Sequence, residues 1–252
     1  MKNRFASFLK HINSIGLFQT ISYLIQRVYL KKGEVISIKI KGLSQPVLLR
    51  NKFYDTHIFY QIFIDKEVDF KLDSFPNVII DCGANIGLST LYFKMKYPDC
   101  KIFSIEPENS NFEMLGLNTK AYKNIIQINA AVWYEDKQLD ITDDGGGHAS
   151  FQVADDSENK NIIGKVNTLT LYNLTQKYNI DKIDLLKIDV EGSEYEIFYF
   201  QKNDWLPKIN NLAVEIHEKL KPGANELIDN IMKDNFHKSS SGEYTLFKKR
   251  NN

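Results

Sequence analysis

The sequence predicts an α/β fold built on a doubly wound, mostly parallel sheet. From Asn77 onward, apolar runs near 78–82, 102–106, 125–129, 184–189 and 212–217 alternate with helical stretches, the pattern of strand-helix-strand units. Val78, Ile79 and Ile80 form a β-branched run without polar alternation, as a strand covered on both faces requires. That run enters Asp81-Cys-Gly-Ala-Asn-Ile-Gly87 and then a helical pattern, so a buried strand turns through glycines into a helix. Together these features predict a Rossmann-like sheet over residues 76–252, ending in a C-terminal β-hairpin and preceded by a small α+β extension over 1–75.

The elements follow in order. Ile12, Ile15, Phe18, Ile21, Ile25 and Val28 recur every three to four residues, which predicts one amphipathic helix ended by Gly33. Segments 34–40 and 46–50 read as short strands around Gly42, and 54–64 as a helix ahead of Pro76. In the main domain, Ile86, Leu88, Leu91, Phe93 and Met95 supply the apolar residues of the helix after the glycine turn, which Pro98 stops. Residues 132–170 interrupt the alternation with short β-like pieces around Asp143-Asp144-Gly145-Gly146-Gly147-His148, a surface loop or a lid over a substrate. Residues 236–248 read as a terminal hairpin turning at Ser241-Gly242.

Composition narrows the class. The 252 residues are 43% hydrophobic, enough for one substantial core. Lys plus Arg and Asp plus Glu both total 32, so no overall basic field points to nucleic acid. Cys82 and Cys100 would fall at opposite ends of neighbouring parallel strands, about 15–20 Å apart at roughly 3.3 Å per residue, beyond disulfide reach. A reduced, cytoplasmic chain is the expectation. Residues 1–32 carry six basic residues and no acid. The expectation there is either peripheral contact with an anionic membrane face or packing on the core or on a second copy in a homo-oligomer.

Two constellations carry chemistry. At the first, Gly83 and Gly87 would let the backbone approach a ligand without a Cβ in the way. Glu106, 19 positions beyond Gly87, is placed to accept ribose hydroxyls. Asn85 stands where a dinucleotide fold puts its second glycine, the one that admits a pyrophosphate. S-adenosylmethionine has no phosphate, so the pattern suits a methyl donor better than a nicotinamide cofactor.

The second constellation is Leu186-Lys187-Ile188-Asp189-Val190-Glu191 together with Val214-Glu215-Ile216-His217. Lys187 falls inside an apolar run, where an unpartnered ammonium is too costly; Asp189 or Glu215 is its expected partner. His217 titrates nearest neutrality and is the expected base for an acceptor hydroxyl, with Lys187, Asp189, Glu191 and Glu215 holding the acceptor. One histidine among carboxylates is a weak ligand set, and no metal is expected.

These segments resemble the FkbM-type family of S-adenosylmethionine-dependent O-methyltransferases. Asp81 to Gly87 is similar to its cofactor motif, Glu106-Pro107 to its ribose-binding strand end, and Leu186-Lys-Ile-Asp-Val-Glu-Gly-Ser-Glu194 to its most characteristic segment. Val214-Glu-Ile-His217 and the lead-in Val47-Leu-Leu-Arg50 with Asp55 also match. The resemblance implies methyl transfer to a hydroxyl, often on a glycan sugar or a natural product, with Asp81, Gly83, Ala84, Asn85, Gly87, Glu106 and Pro107 holding S-adenosylmethionine. One rival is a short-chain dehydrogenase, which Gly83-x3-Gly87 and Tyr178-x3-Lys182 imitate. The other is a non-catalytic binding module.

Overall fold

A computed structural model describes residues 2–51, 53–143, 151–154 and 162–250. The extension comprises α1 (Lys2–Ile15), α2 (Leu17–Tyr29), the antiparallel pair β1 (Val35–Ile38) and β2 (Val47–Arg50), and α3 (Phe53–Phe59), which continues as a π-helical turn over Tyr60–Ile64. The single helix expected before Gly33 is two helices. Gly16, at φ 84° and ψ 158°, breaks the path, because these dihedrals lie outside the helical region, and the second helix ends at Tyr29, before the extended Leu30.

The main sheet follows the predicted alternation. Its elements are β3 (Val78–Cys82), α4 (Leu88–Lys96), β4 (Lys101–Ile105), α5 (Asn109–Thr119) and β5 (Ile125–Ile128). The irregular middle forms β6 (Ala131–Val132), β7 (Gln138–Asp143), β8 (Phe151–Ala154) and β9 (Ile162–Leu169). These four pair as a separate sheet in the order β6-β9-β7-β8. The chain then returns through α6 (Leu171–Lys177), β10 (Leu185–Ile188), α7 (Glu194–Trp205), β11 (Asn211–Glu215), α8 (Ala224–Met232) and the hairpin β12 (Phe236–Ser241) and β13 (Tyr244–Lys249). The glycine triplet and His148 lie outside the described residues.

The main sheet has the order β12-β13-β11-β10-β3-β4-β5, parallel from β11 to β5, with β13 antiparallel to β11. Strand order reverses between β10 and β3, and the crevice beyond the carboxyl ends of those two strands is where open α/β sheets take ligands. Side chains alternate across the sheet into two cores: Ile79, Ile102, Leu185 and Ala213 on one side, Ile80, Phe103, Leu186 and Leu212 on the other. The first core also holds Ile36, Val47, Leu49, Phe59 and Phe63, so the extension packs directly on the sheet. Cys82 and Cys100 are buried and unpaired.

Candidate active site

A cavity of about 310 Å³ opens at that crevice, within the range of small-ligand sites. On one side it is lined by Gly83, Ala84, Asn85, Glu106 and Pro107. The turn after β3 is held open by left-handed residues: Gly83 at φ 77°, Asn85 at 50° and Gly87 at 87°. A Cβ on Gly83 would sit 1.7 Å from the Asp189 carbonyl oxygen, and one on Gly87 2.7 Å from Leu115 Cδ1. The room expected for a ligand at these glycines is taken by the end of β10 and by α5, and Gly87 does not line the cavity. Glu106 is 4% exposed. Its Oε2 accepts from the Asn85 amide at 2.9 Å, and its Oε1 from the Glu108 amide at 3.0 Å and Asn111 Nδ2 at 3.4 Å. Burial pushes its pKa up to about 7, against the pull of these donors.

Asp81, expected to hold the donor, is wholly buried beneath the turn, where Oδ2 accepts from Ser89 Oγ at 2.6 Å and Thr90 Oγ1 at 2.7 Å. Its Oδ1 is 3.2 Å from Lys187 Nζ. Lys187 is also 3.4 Å from Asp189 Oδ2 and donates to the Gly83 carbonyl at 2.9 Å, tying β10 to the turn. Burial pulls the ammonium toward neutrality, but Asp81 and Asp189 outweigh it and hold its pKa above the ordinary lysine value. Of its two expected partners, Asp189 is present and Glu215 is replaced by Asp81.

The far side of the cavity is acidic. Asp189, Glu191 and Glu215 line it, and Glu191 sits at φ 51°, a strained conformation of the kind found at functional sites. Tyr244 donates its hydroxyl to Asp189 Oδ2 at 3.0 Å. Burial, reinforced by the Asp189 charge, pushes Glu191 up to about 7 and Glu215 up to about 8.

His217, expected as the base, stands behind these carboxylates and not among the lining residues. Its Nδ1 is 2.9 Å from Glu194 Oε1, and its Nε2 is 3.4 Å from Glu191 and 3.6 Å from Glu215. Burial lowers its pKa, but the hydrogen bond and charge of Glu194, then Glu191 and Asp189, raise it to about 9. These neighbours favour the imidazolium form, which has no lone pair to take a proton. Asp189, Glu215 and His217 offer ligand atoms within 4.8 Å of one another.

Several lining residues carry no sequence signal of a site: Tyr54, His57, Gln61 and Glu67 from the extension, Glu243 and Tyr244 from the hairpin. The pairing of Arg50 with Asp55 does foreshadow the first group. Arg50 Nε donates to Asp55 Oδ2 at 2.8 Å, its second terminal nitrogen to Asp55 Oδ1 at 3.0 Å and Asn111 Oδ1 at 2.7 Å, and its first to Ser110 Oγ at 2.8 Å. This buried network clamps α3 to α5 and so sets the extension over the cavity. Glu194, fully buried, also went unassigned; its role needs a histidine 23 residues away. The Tyr178 and Lys182 pair lines no part of the cavity: Tyr178 packs on Phe103 and Lys182 is 3.3 Å from Asp184.

With the geometry in view, likenesses to other proteins become informative. Residues 81–238 match the Methyltransferase FkbM domain family. Methyltransferase 1 of Beauveria bassiana (strain ARSEF 2860) is 28% identical over 183 residues, covering 63% of this chain and 72% of that protein. Methyltransferase sdnD of Sordaria araneosa is 28% identical over 194 residues, covering 64% and 74%. Among solved structures, Methyltransferase FkbM from Methylobacillus flagellatus KT aligns with a TM-score of 0.49 at 15% identity, over 75% of this chain and 47% of that one. The chain thus spans about half the length of that structure.

Proposed function

The chain belongs to the FkbM methyltransferase family, and from that premise we propose that it methylates a hydroxyl of a sugar-bearing acceptor, a glycan or a natural product, with S-adenosylmethionine as donor and Glu215 as the base. The supporting observation is the charge of the cavity wall. Glu67, Asp189, Glu191, Glu215 and Glu243 line it, while the Lys187 ammonium is spent on Asp81, Asp189 and Gly83. A bound cation lowers the pKa of these carboxyls and a bound phosphate raises it, so such a wall favours a cationic donor over a dinucleotide.

When bound, S-adenosylmethionine supplies a methyl group on a positively charged sulfur, activated for displacement by an oxygen. Gly83, Ala84, Asn85 and Pro107 form the wall that receives it. Glu106 accepts ribose hydroxyls through the lone pairs left free by its amide donors. Glu215 would take the acceptor's hydroxyl proton as the oxygen–carbon bond forms and the methyl carbon–sulfur bond breaks, leaving the thioether, and its raised pKa makes it a stronger base than an ordinary carboxylate. Glu191 and Asp189 would hold the acceptor, and His217 is a positioning residue whose charge lowers the pKa of Glu191 and Glu215 and fixes them.

Calorimetry with S-adenosylhomocysteine and with NAD separates the readings: binding of the first and not the second is expected, and the reverse would restore the dehydrogenase. The acceptor class is then tested with isotopically labelled donor and glycans extracted from cells lacking the gene. Label in an O-methyl sugar is expected; label on nitrogen or carboxylate would overturn the hydroxyl assignment.

A further inference from the structure

Helix α2 is mounted with its polar side inward. Thr20 and Tyr23 are buried. Gln26 exchanges two hydrogen bonds with the backbone of Ser37, at 3.0 and 2.9 Å, and Gln19 accepts from the Lys39 amide at 3.2 Å. The outward face carries Phe18, Ile21, Leu24, Ile25, Val28 and Tyr29, all exposed; Phe18 is 85%, Val28 76% and Tyr29 81% accessible. A surface helix ordinarily turns its apolar stripe to the core. Here the core takes the opposite face, and a continuous apolar ridge of this kind marks an interaction surface.

Charge identifies what covers it. Residues 1–33 contain Lys2, Arg4, Lys10, Arg27, Lys31 and Lys32 and no acid, and Lys31 and Lys32 are exposed at the carboxyl end of the ridge. A second copy packed on this ridge would bring its own cations against Lys31 and Lys32, whereas an anionic surface complements them. An apolar ridge rimmed by cations is the signature of a helix lying in a membrane interface. No helix among the described residues is long and apolar enough to cross one. We propose that α2 seats the protein on an anionic lipid surface, its apolar ridge entering the headgroup boundary while Lys31 and Lys32 face the lipid charge.

The test is co-sedimentation of the full chain with vesicles of phosphatidylcholine alone and with vesicles of equal parts phosphatidylcholine and phosphatidylglycerol. Binding to the anionic vesicles only, weakened by added salt, is expected. Phe18→Ser with Val28→Ser should weaken it by at least about tenfold, since both side chains would bury apolar surface in the lipid. Both positions are exposed, so thermal unfolding and S-adenosylhomocysteine affinity should be unchanged in the variant. Absence of vesicle binding by the wild type would overturn the proposal, as would binding that the double variant leaves intact. Sedimentation velocity showing a dimer that the double variant dissolves would assign the ridge to a second copy instead.

Discussion

At Glu215 and His217 the site's chemistry turns on which group is neutral at working pH. Glu215 is pushed to about 8 and Glu191 to about 7, while His217 is held as a cation up to about 9. Activity should therefore rise with pH through about 7–8, following loss of the carboxyl proton. Glu215→Gln should cut turnover by roughly 10²–10⁴, the usual worth of a positioned base, with S-adenosylhomocysteine affinity near wild type by calorimetry. If Glu191→Gln carries that loss instead, the base is Glu191. His217→Gln makes a contrasting prediction: its charge lowers the pKa of both glutamates, so removing it should shift the limb to higher pH while plateau turnover falls by less than about tenfold. A plateau collapse of 10²–10⁴ would return the base to His217.

Elements are joined at the site by two buried ion pairs. Lys187 bridges β10 to β3 through Asp81, so Lys187→Met should cost about 3–5 kcal/mol by leaving Asp81 charged and unpaired. Adding Asp81→Asn should recover part of that loss in chemical denaturation, whereas additive losses would show that the pair does not couple. Arg50 joins β2, α3 and α5, and Asn111 of α5 reaches on to Glu106. A lysine there cannot reproduce the planar fork. Arg50→Lys should lower stability by about 2–4 kcal/mol and weaken S-adenosylhomocysteine binding as well; unchanged affinity would mean that the clamp and the cofactor wall are independent.

For the whole molecule, the four shifted groups act in one direction. Glu106, Glu191 and Glu215 rise from 4.5 to about 7, 7 and 8, and His217 from 6.5 to about 9. A raised folded-state pKa contributes stability that is full below the unfolded value and lost as pH rises through the folded one. The window therefore runs from about pH 4.5 to about 9, and the melting temperature should fall across it by about 5–10 °C, measured by calorimetry at fixed ionic strength. A melting temperature that rises between pH 5 and 9 would contradict the charge arrangement. Glu215→Gln should flatten the upper part of the slope.

The sheet was legible because its signals are local. Val78-Ile79-Ile80, the glycines at 83 and 87 and the spacing to Glu106 each report a strand, a turn or a strand end within a few residues, and the five predicted parallel strands stand within one or two residues of their expected bounds. The same logic placed Lys187, Asp189, Glu191 and Glu215 together, since strands of a parallel sheet bring their carboxyl ends to one edge. What a side chain does there was settled by partners far along the chain. Asp81 went to Lys187 instead of a ligand, Gly83 makes room for the Asp189 carbonyl, and His217 serves three glutamates. Periodicity found the apolar stripe of α2, yet it could not say which face the protein covers. The pattern measures amphipathicity, whereas orientation follows from what the opposing surface offers, here the exposed backbone of Ser37 and Lys39 reaching for two glutamines.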